Sequence, residues 1–270
     1  MPLEVCATPI GNLEDVTLRV LAALAAADLV LCEDTRRTRG LLARHGITAR
    51  LTSYHGHNEA RRTAEVLPRL EAGETVALVS DAGMPGINDP GMRLIAAARD
   101  AGLPVTVLPG ASAVETALVA SGFELERYQF LGYLPRGERA LASLWDELSS
   151  WPQAAVAFES PQRLPTTLAS LAAAMPDRPL AVCRELTKAF EEVVRGPAVD
   201  VAARFVSPPK GEITLVLGPA PPRRTPDQAG LEAVAELVAA GVPRRQAADV
   251  VARLTGLSRN GLYRGSLEAL

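Results

Sequence analysis

The chain has 270 residues, 22% charged and 48% hydrophobic, which excludes a disordered or fibrous protein and suits about two domains. Its formal charge of -3, from Lys+Arg 28 and Asp+Glu 31, gives no hint of a polyanionic partner. The charge is unevenly spread, however. From Pro222 onward seven arginines face five acids, and between Glu33 and Arg69 eight arginines face four acids. Two basic zones on an acidic body raise the expectation of a nucleic-acid contact.

Residues 1–120 alternate short β-rich apolar runs with helical patterns, the signature of an α/β domain with a largely parallel sheet. Strands are predicted over 3–7, 29–32, 50–53, 75–79 and 105–108. Leu18, Leu21 and Leu24 mark one helical face, and helices over 60–70 and 92–101 close at Gly73 and Gly102. Residues 121–218 read as a second α/β domain with strands over 128–132, 154–158, 180–184, 191–195 and 212–217. Helices fall around 141–148, 164–174 and 199–205. Its closely spaced strands leave no room for a crossover helix near 184–191, so this sheet should be mixed or antiparallel. A cleft between the two domains follows. Gly218 to Asp227, GPAPPRRTPD, reads as a linker, and 228–270 as a small helical module of helix-turn-helix type exposing Arg244, Arg245, Arg253, Arg259 and Arg264.

Cys6, Cys32 and Cys183 are odd in number, far apart and set in apolar runs, as in a reduced, cytoplasmic protein. His45, His55 and His57 lack Cys partners at ligand spacing, so no metal site is expected. The start MPLEVCATPIG has no basic region or long apolar core, and Arg19 and Asp28 interrupt the apolar stretch 18–32, so neither a signal peptide nor a membrane span is expected.

Three Gly/Pro-rich loops follow strand ends: Thr8-Pro9-Ile10-Gly11-Asn12, Ser80-Asp81-Ala82-Gly83-Met84-Pro85-Gly86 and Pro109-Gly110-Ala111-Ser112-Ala113. Ligands bind at the carboxyl ends of open parallel sheets, so the three should converge on one pocket. Neither GxGxxG nor GxxxxGK[ST] is present, and a pyrophosphate cradle is not indicated. Asp81, a carboxylate on an otherwise apolar loop, suits either an ammonium or ribose hydroxyls of a ligand, or the organisation of its own loop.

These loops, with FESPQR from Phe158, CRELTK from Cys183 and GEITLV from Gly211, resemble the tetrapyrrole-methylase-like (class III) methyltransferases that use S-adenosylmethionine. TPIGNLEDVTLR, CEDTRRT and the tail LSRNGLYR narrow the resemblance to the branch acting on small-subunit ribosomal RNA. The resemblance implies a two-domain fold with the cofactor in the cleft, against Pro9, Asp81, Met84, Ser112 and Ala113 on one side and Phe158, Leu186 and Thr214 on the other. It also implies 2'-O-methylation of cytidine 1402 in 16S rRNA of the 30S subunit, by a homodimer. The alternative within the superfamily is a tetrapyrrole or diphthamide-pathway methyltransferase.

Methyl transfer to a ribose oxygen needs alignment, exclusion of water and a late proton acceptor. Glu33, Asp34 and Glu159 follow strands, and Asp34 beside Arg36 is the preferred acceptor, with Glu159 second and Glu185 a weaker choice. Asp34 could equally pair with Arg36 or cap a helix. Arg36, Arg37 and Arg39 are candidates to hold RNA phosphates near the target, and Arg244, Arg245 and Arg259 to hold RNA further away.

Overall fold

The computed structural model describes residues 2–220 and 226–268. Residues 221–225, which include Arg223, Arg224 and the centre of the Pro-rich stretch, lie outside the described residues. The chain divides into two compact units, Met1–Ala220 and Pro221–Leu270.

The larger unit carries two five-stranded sheets. In the first, β1 (Leu3–Cys6), β2 (Leu29–Cys32), β3 (Leu51–Ser53), β4 (Val76–Val79) and β5 (Val105–Leu108) are all parallel in the order β3-β2-β4-β1-β5. Every strand is followed by a helix: α1 (Leu18–Ala26), α2 (Thr35–Arg44), α3 (Glu59–Glu71), α4 (Met92–Asp100) and α5 (Ala113–Ser121). Side chains alternate across a strand, so both sheet faces need apolar cover. Leu3, Leu29, Leu31, Val76 and Leu78 pack on one face with Val66, Leu70 and Leu94. Cys6, Val30, Cys32, Ala77 and Val79 pack on the other with Val20, Leu24 and Leu42.

One helical expectation is corrected, and one helix is added. The buried face of α1 is Val20, Ala23 and Leu24, while Leu18, its first residue, is 84% exposed. The sequence 35–44, over which no element is predicted, is a helix that buries Thr38, Leu41 and Leu42 beneath its arginines.

The second sheet holds β6 (Tyr128–Tyr133), β7 (Ala154–Glu159), β8 (Pro179–Arg184), β9 (Glu192–Pro197) and β10 (Ile213–Leu217) in the order β6-β7-β10-β8-β9. It is mixed: β6 and β7 are parallel, and the other pairs antiparallel. Helices α6 (Glu138–Ser150), α7 (Leu164–Ala174) and α8 (Ala198–Arg204) cover the face bearing Ala155, Ala157, Leu180, Val182, Leu215 and Leu217. The opposite face, with Val156, Ala181, Cys183 and Val216, packs on Val114, Ala117 and Leu118 of α5. Helix α5, which follows β5 of the first sheet in the chain, thus packs on the second.

In the smaller unit, α9 (Pro226–Ala239), α10 (Arg244–Thr255) and α11 (Arg259–Glu268) enclose Val234, Ala247, Ala248, Val251 and Leu262. The Arg244 guanidinium donates to the Ser266 carbonyl and Arg259 pairs with Asp249 at 3.3 Å. Arg245, Arg253 and Arg264 are exposed. Among the described residues no helix is long and apolar enough to cross a membrane, and no three His, Cys, Asp or Glu side chains are grouped to hold a metal ion.

Candidate active site

The three Gly/Pro-rich loops meet at the carboxyl edge of the first sheet. Those after β1 and β4 are pinned together: the Thr8 N–H donates to the Gly83 carbonyl (2.8 Å), the Gly83 N–H donates back to Thr8 (3.0 Å), and the Thr8 hydroxyl reaches the Ser80 carbonyl (3.1 Å). The loop after β1 also grips the β8–β9 loop of the other sheet. The Asn12 N–H donates to Thr187 Oγ1 at 3.0 Å. A Cβ on Gly11 would lie 2.6 Å from both Lys188 Cγ and Thr187 Oγ1, so only glycine permits this approach. Thr187 (φ +65°) and Glu185 (φ +51°) adopt the left-handed conformation there, a local cost offset by the Lys188 ammonium and Glu212 N–H bonds to the Glu185 carboxylate.

Between the sheets lies a cavity of about 960 Å³. The first sheet lines it with Asp81, Met84, Ser112 and Ala113, and the second with Phe158, Leu186 and Thr214. Register explains the second set: Thr214 on β10 faces Phe158 on β7 and Cys183 on β8, which puts the three in one row on one face. Pro9 lines an adjoining cavity of about 360 Å³, which shares Ile10, Arg37, Asp81 and Glu212 with the larger one and adds Lys188. Burial pushes the Cys183 thiol up to about 12, so the cavity holds no thiolate there at neutral pH.

The carboxylates of the site divide into committed and less committed groups. Asp81 accepts the Asp34 N–H at 2.9 Å and faces Arg37 Nε at 3.6 Å, so it ties the β2–α2 junction to the β4 loop. Asp34 caps α2 through the Arg36 N–H (2.8 Å) and binds the Arg36 guanidinium at 2.7 Å. Those hydrogen bonds hold its carboxyl well below the usual carboxylate range, which makes it a weak proton acceptor. Glu159 is buried, accepting from the Ser160 N–H and the Thr167 hydroxyl (both 2.6 Å) and pairing with Arg163 at 3.2 Å. Both preferred acceptors therefore already organise the protein around them.

The less committed carboxylate is Asp89, in the loop between β4 and α4, which has the Ser80 side chain as a hydrogen-bond partner and which sequence reasoning passed over. Burial, then the nearby Glu33 carboxylate, raises Asp89 to about 6, and it lines the larger cavity. Glu33 is raised as well, by burial and by Asp81. The Gly91 N–H, donating to Glu59 at 3.0 Å, anchors the far end of this loop. The signal was the SDAGMPGINDPG run itself, whose second aspartate follows turn residues that bring it back toward the cavity. Tyr133 and Asn88, also on the cavity wall, were passed over too.

Arg36, Arg37 and Arg39 lie in the first turns of α2, and Arg37 reaches both cavities. The rest of the first basic zone is largely paired: Arg44 with Glu14, Arg61 and Arg62 with Glu65, and Arg69 with Glu74. Arg36 and Arg37 at the α2 N-terminus are paired too, with Asp34 and Asp81, but both keep largely exposed side chains.

Two α/β layers thus clasp a cavity at their strand ends. The chain belongs to the tetrapyrrole (corrin/porphyrin) methylases, whose family model matches residues 5–202, while residues 225–269 match the RsmI C-terminal HTH domain. It is 42% identical to Ribosomal RNA small subunit methyltransferase I of Mesorhizobium japonicum, over 98% of this chain and 91% of that protein. With the protein of the same name from Synechocystis it shares 41% identity, over 98% of this chain and 97% of the relative. Among solved structures it is similar in fold to a Thermus thermophilus uroporphyrin-III C-methyltransferase complexed with S-adenyl homocysteine (TM-score 0.56, 18% identity, 80% of this chain and 96% of that one). A diphthine synthase aligns with a TM-score of 0.61 at 14% identity, over 80% and 89% of the two chains.

Proposed function

We propose that this protein is an S-adenosylmethionine-dependent ribosomal RNA methyltransferase that methylates the ribose 2'-hydroxyl of cytidine 1402 in 16S rRNA of the small subunit. The observation that carries the reading is the 960 Å³ cavity, walled from both sheets by residues the family resemblance assigns to the cofactor. Its chemistry fits a cationic, partly apolar ligand: Ile10, Val114, Leu186 and Phe158 give apolar walls, and Asp81 and Asp89 give negative charge. Its volume is at the top of the ~300–1,000 Å³ range of single-ligand pockets, leaving room for an acceptor beside the cofactor.

S-adenosylmethionine, when bound, supplies a methyl group on a positively charged sulfur. The chain's own contribution is positional. Asp81, held by the Asp34 N–H and Arg37, anchors the ligand, while the Ser112–Ala113 end of α5 and the Phe158–Thr214 row border it from opposite sides. Asp89, ionised above pH about 6, accepts the ribose proton in preference to Asp34 or Glu159. Arg36, Arg37 and Arg39 hold phosphates flanking the target, and the arginines of the C-terminal unit extend the RNA contact. A homodimer completes the reading, with Val119 of α5, 82% exposed, among the apolar positions a second copy would cover.

Tritiated methyl transfer to 30S subunits from a strain lacking this gene is the direct test, with uroporphyrinogen as the control acceptor. One ribose methyl at cytidine 1402 by mass mapping is the expected product. Label on uroporphyrinogen alone, or an unchanged RNA map, would overturn the proposal.

A further inference from the structure

The wall of the larger cavity carries an aromatic group of which the cofactor reading uses only Phe158. Phe130 and Tyr133 are three residues apart on β6, so in a regular strand they would point to opposite faces. The register of β6 against β7 shifts between them, and Gly132, with φ +66°, supplies the irregularity. Both rings consequently meet Phe158 edge to face, Phe130 with centroids 5.1 Å apart and Tyr133 with centroids 5.6 Å apart. Asn88, itself at φ +58°, places its amide oxygen 2.8 Å from where a Cβ on residue 132 would be. Phe130 and Phe158 are drawn into the core beside α5, but Tyr133 is left 63% exposed while lining the cavity.

Charge decides what such a ring can receive. The phenol stands among the carboxylates of Glu212, Asp89, Glu159 and Glu33. Glu159 is paired with Arg163 and Glu212 with Lys188, while Asp89 lines the cavity with Glu33 nearby, the latter offset in part by Arg37 and His55. A phosphate would meet like charge here, whereas an uncharged base with an exocyclic amino group would find a stacking face and hydrogen-bond acceptors together. We propose that Tyr133, braced by Phe158 and Phe130, is the stacking platform for the unstacked acceptor base, and that the carboxylates beside it favour an amino-bearing base over one with a carbonyl in its place. The proposal rests on the methyltransferase reading above and adds to it the side of the cavity on which the acceptor nucleoside lies: the target is extruded from its strand onto Tyr133, while its phosphates remain near the α2 arginines.

The test uses the full-length protein and 30S subunits. Tyr133→Leu keeps bulk and removes the π face, and the ring's exposure makes the substitution compatible with folding. It is expected to raise KM for 30S subunits roughly 10- to 100-fold, the range for loss of one base–aromatic stack. The S-adenosylmethionine Kd by calorimetry should stay within about twofold, and Tyr133→Phe should restore KM to within about threefold of the parent. With the parent protein, subunits carrying uridine in place of the target cytidine should show at least about tenfold lower kcat/KM. A Leu variant with unchanged KM, or one whose cofactor affinity falls in step with its activity, overturns the platform. Equal turnover of cytidine and uridine subunits overturns the carboxylate preference. A parent protein that binds no S-adenosylmethionine or leaves 30S subunits unlabelled brings down the underlying reading and this inference with it, a result distinguishable because it needs no variant.

Discussion

The proposed role of Asp89 ties the electrostatics of the cavity to both stability and rate. Its carboxyl is raised from 3.8 to about 6 by burial and then by Glu33. A raised carboxylate binds its proton more tightly in the folded state, so its ionisation destabilises the fold progressively as pH rises from about 4 to about 6. Asp89→Asn is therefore expected to melt above the parent at pH 7.5, by on the order of 2–5 °C, with the gap closing below pH 4. The same variant should lose about 10²- to 10⁴-fold in kcat, and the rise of parent activity through pH 6 should be absent from its residual rate. A variant that keeps both stability and pH profile would remove Asp89 from the mechanism. Arg178 serves the fold instead: it is 2% exposed, and its guanidinium donates to the carbonyls of Gly218, Leu148, Trp151 and Gln153. Burial lowers it to about 10, so it stays charged at neutral pH. Four carbonyls depend on one cation, so Arg178→Met is expected to cost about 3–5 kcal/mol in urea unfolding, while cofactor affinity per folded molecule is unchanged. Nothing in the sequence around Arg178 marks it, because its partners come from distant segments.

At the scale of elements, the cleft is closed by loops rather than by helices. The clasp of the β1 loop with the β8–β9 loop requires Gly11, since a methyl there would meet Lys188 Cγ, Thr187 Oγ1 and, at 2.9 Å, the Leu186 carbonyl. Backbone cannot yield as a side-chain tip can. Gly11→Ala is expected to lower stability by about 1–3 kcal/mol and to weaken S-adenosylmethionine binding measurably by calorimetry, because Leu186 on the cavity wall shifts with its carbonyl. Normal binding in a folded variant would show that the clasp is not part of the site. Strands and their order of appearance were legible because each is a short apolar run bounded by turn residues, as at Leu29–Cys32 and Val105–Leu108. Helix α2 was not, since Arg36, Arg37 and Arg39 dominate its composition and its buried set is only Thr38, Leu41 and Leu42. The face of α1 was obscured because its first leucine precedes the turn that meets the sheet. Asp34 shows the limit of spacing arguments: a carboxylate at a strand end suits a catalytic group and a helix cap equally, and only the Arg36 N–H bond at 2.8 Å makes the cap visible.

For the whole molecule, charge is divided between a compact unit that bears the cavity and a compact helical one. Which strand ends converge was legible from the three Gly/Pro loops, but the aromatic wall was not, because it depends on a bulge at Gly132 that no residue pattern announces. The C-terminal unit was legible as helical from its apolar spacing, and its core of Val234, Ala247, Val251 and Leu262 leaves Arg245, Arg253 and Arg264 to solvent. If these three hold RNA phosphates, their work is electrostatic and independent of sequence. Arg245→Glu, Arg253→Glu and Arg264→Glu combined should then weaken binding to 30S subunits most strongly at low salt. The slope of log affinity against log salt should fall by about 0.7–0.9 for each phosphate that is no longer neutralised. None of these arginines packs in the helical core, so the melting temperature should hold, and cofactor affinity, which the proposal places in the cavity of the larger unit, should be unchanged. An unaltered salt slope in the triple variant would confine RNA recognition to the α2 arginines and the cavity wall.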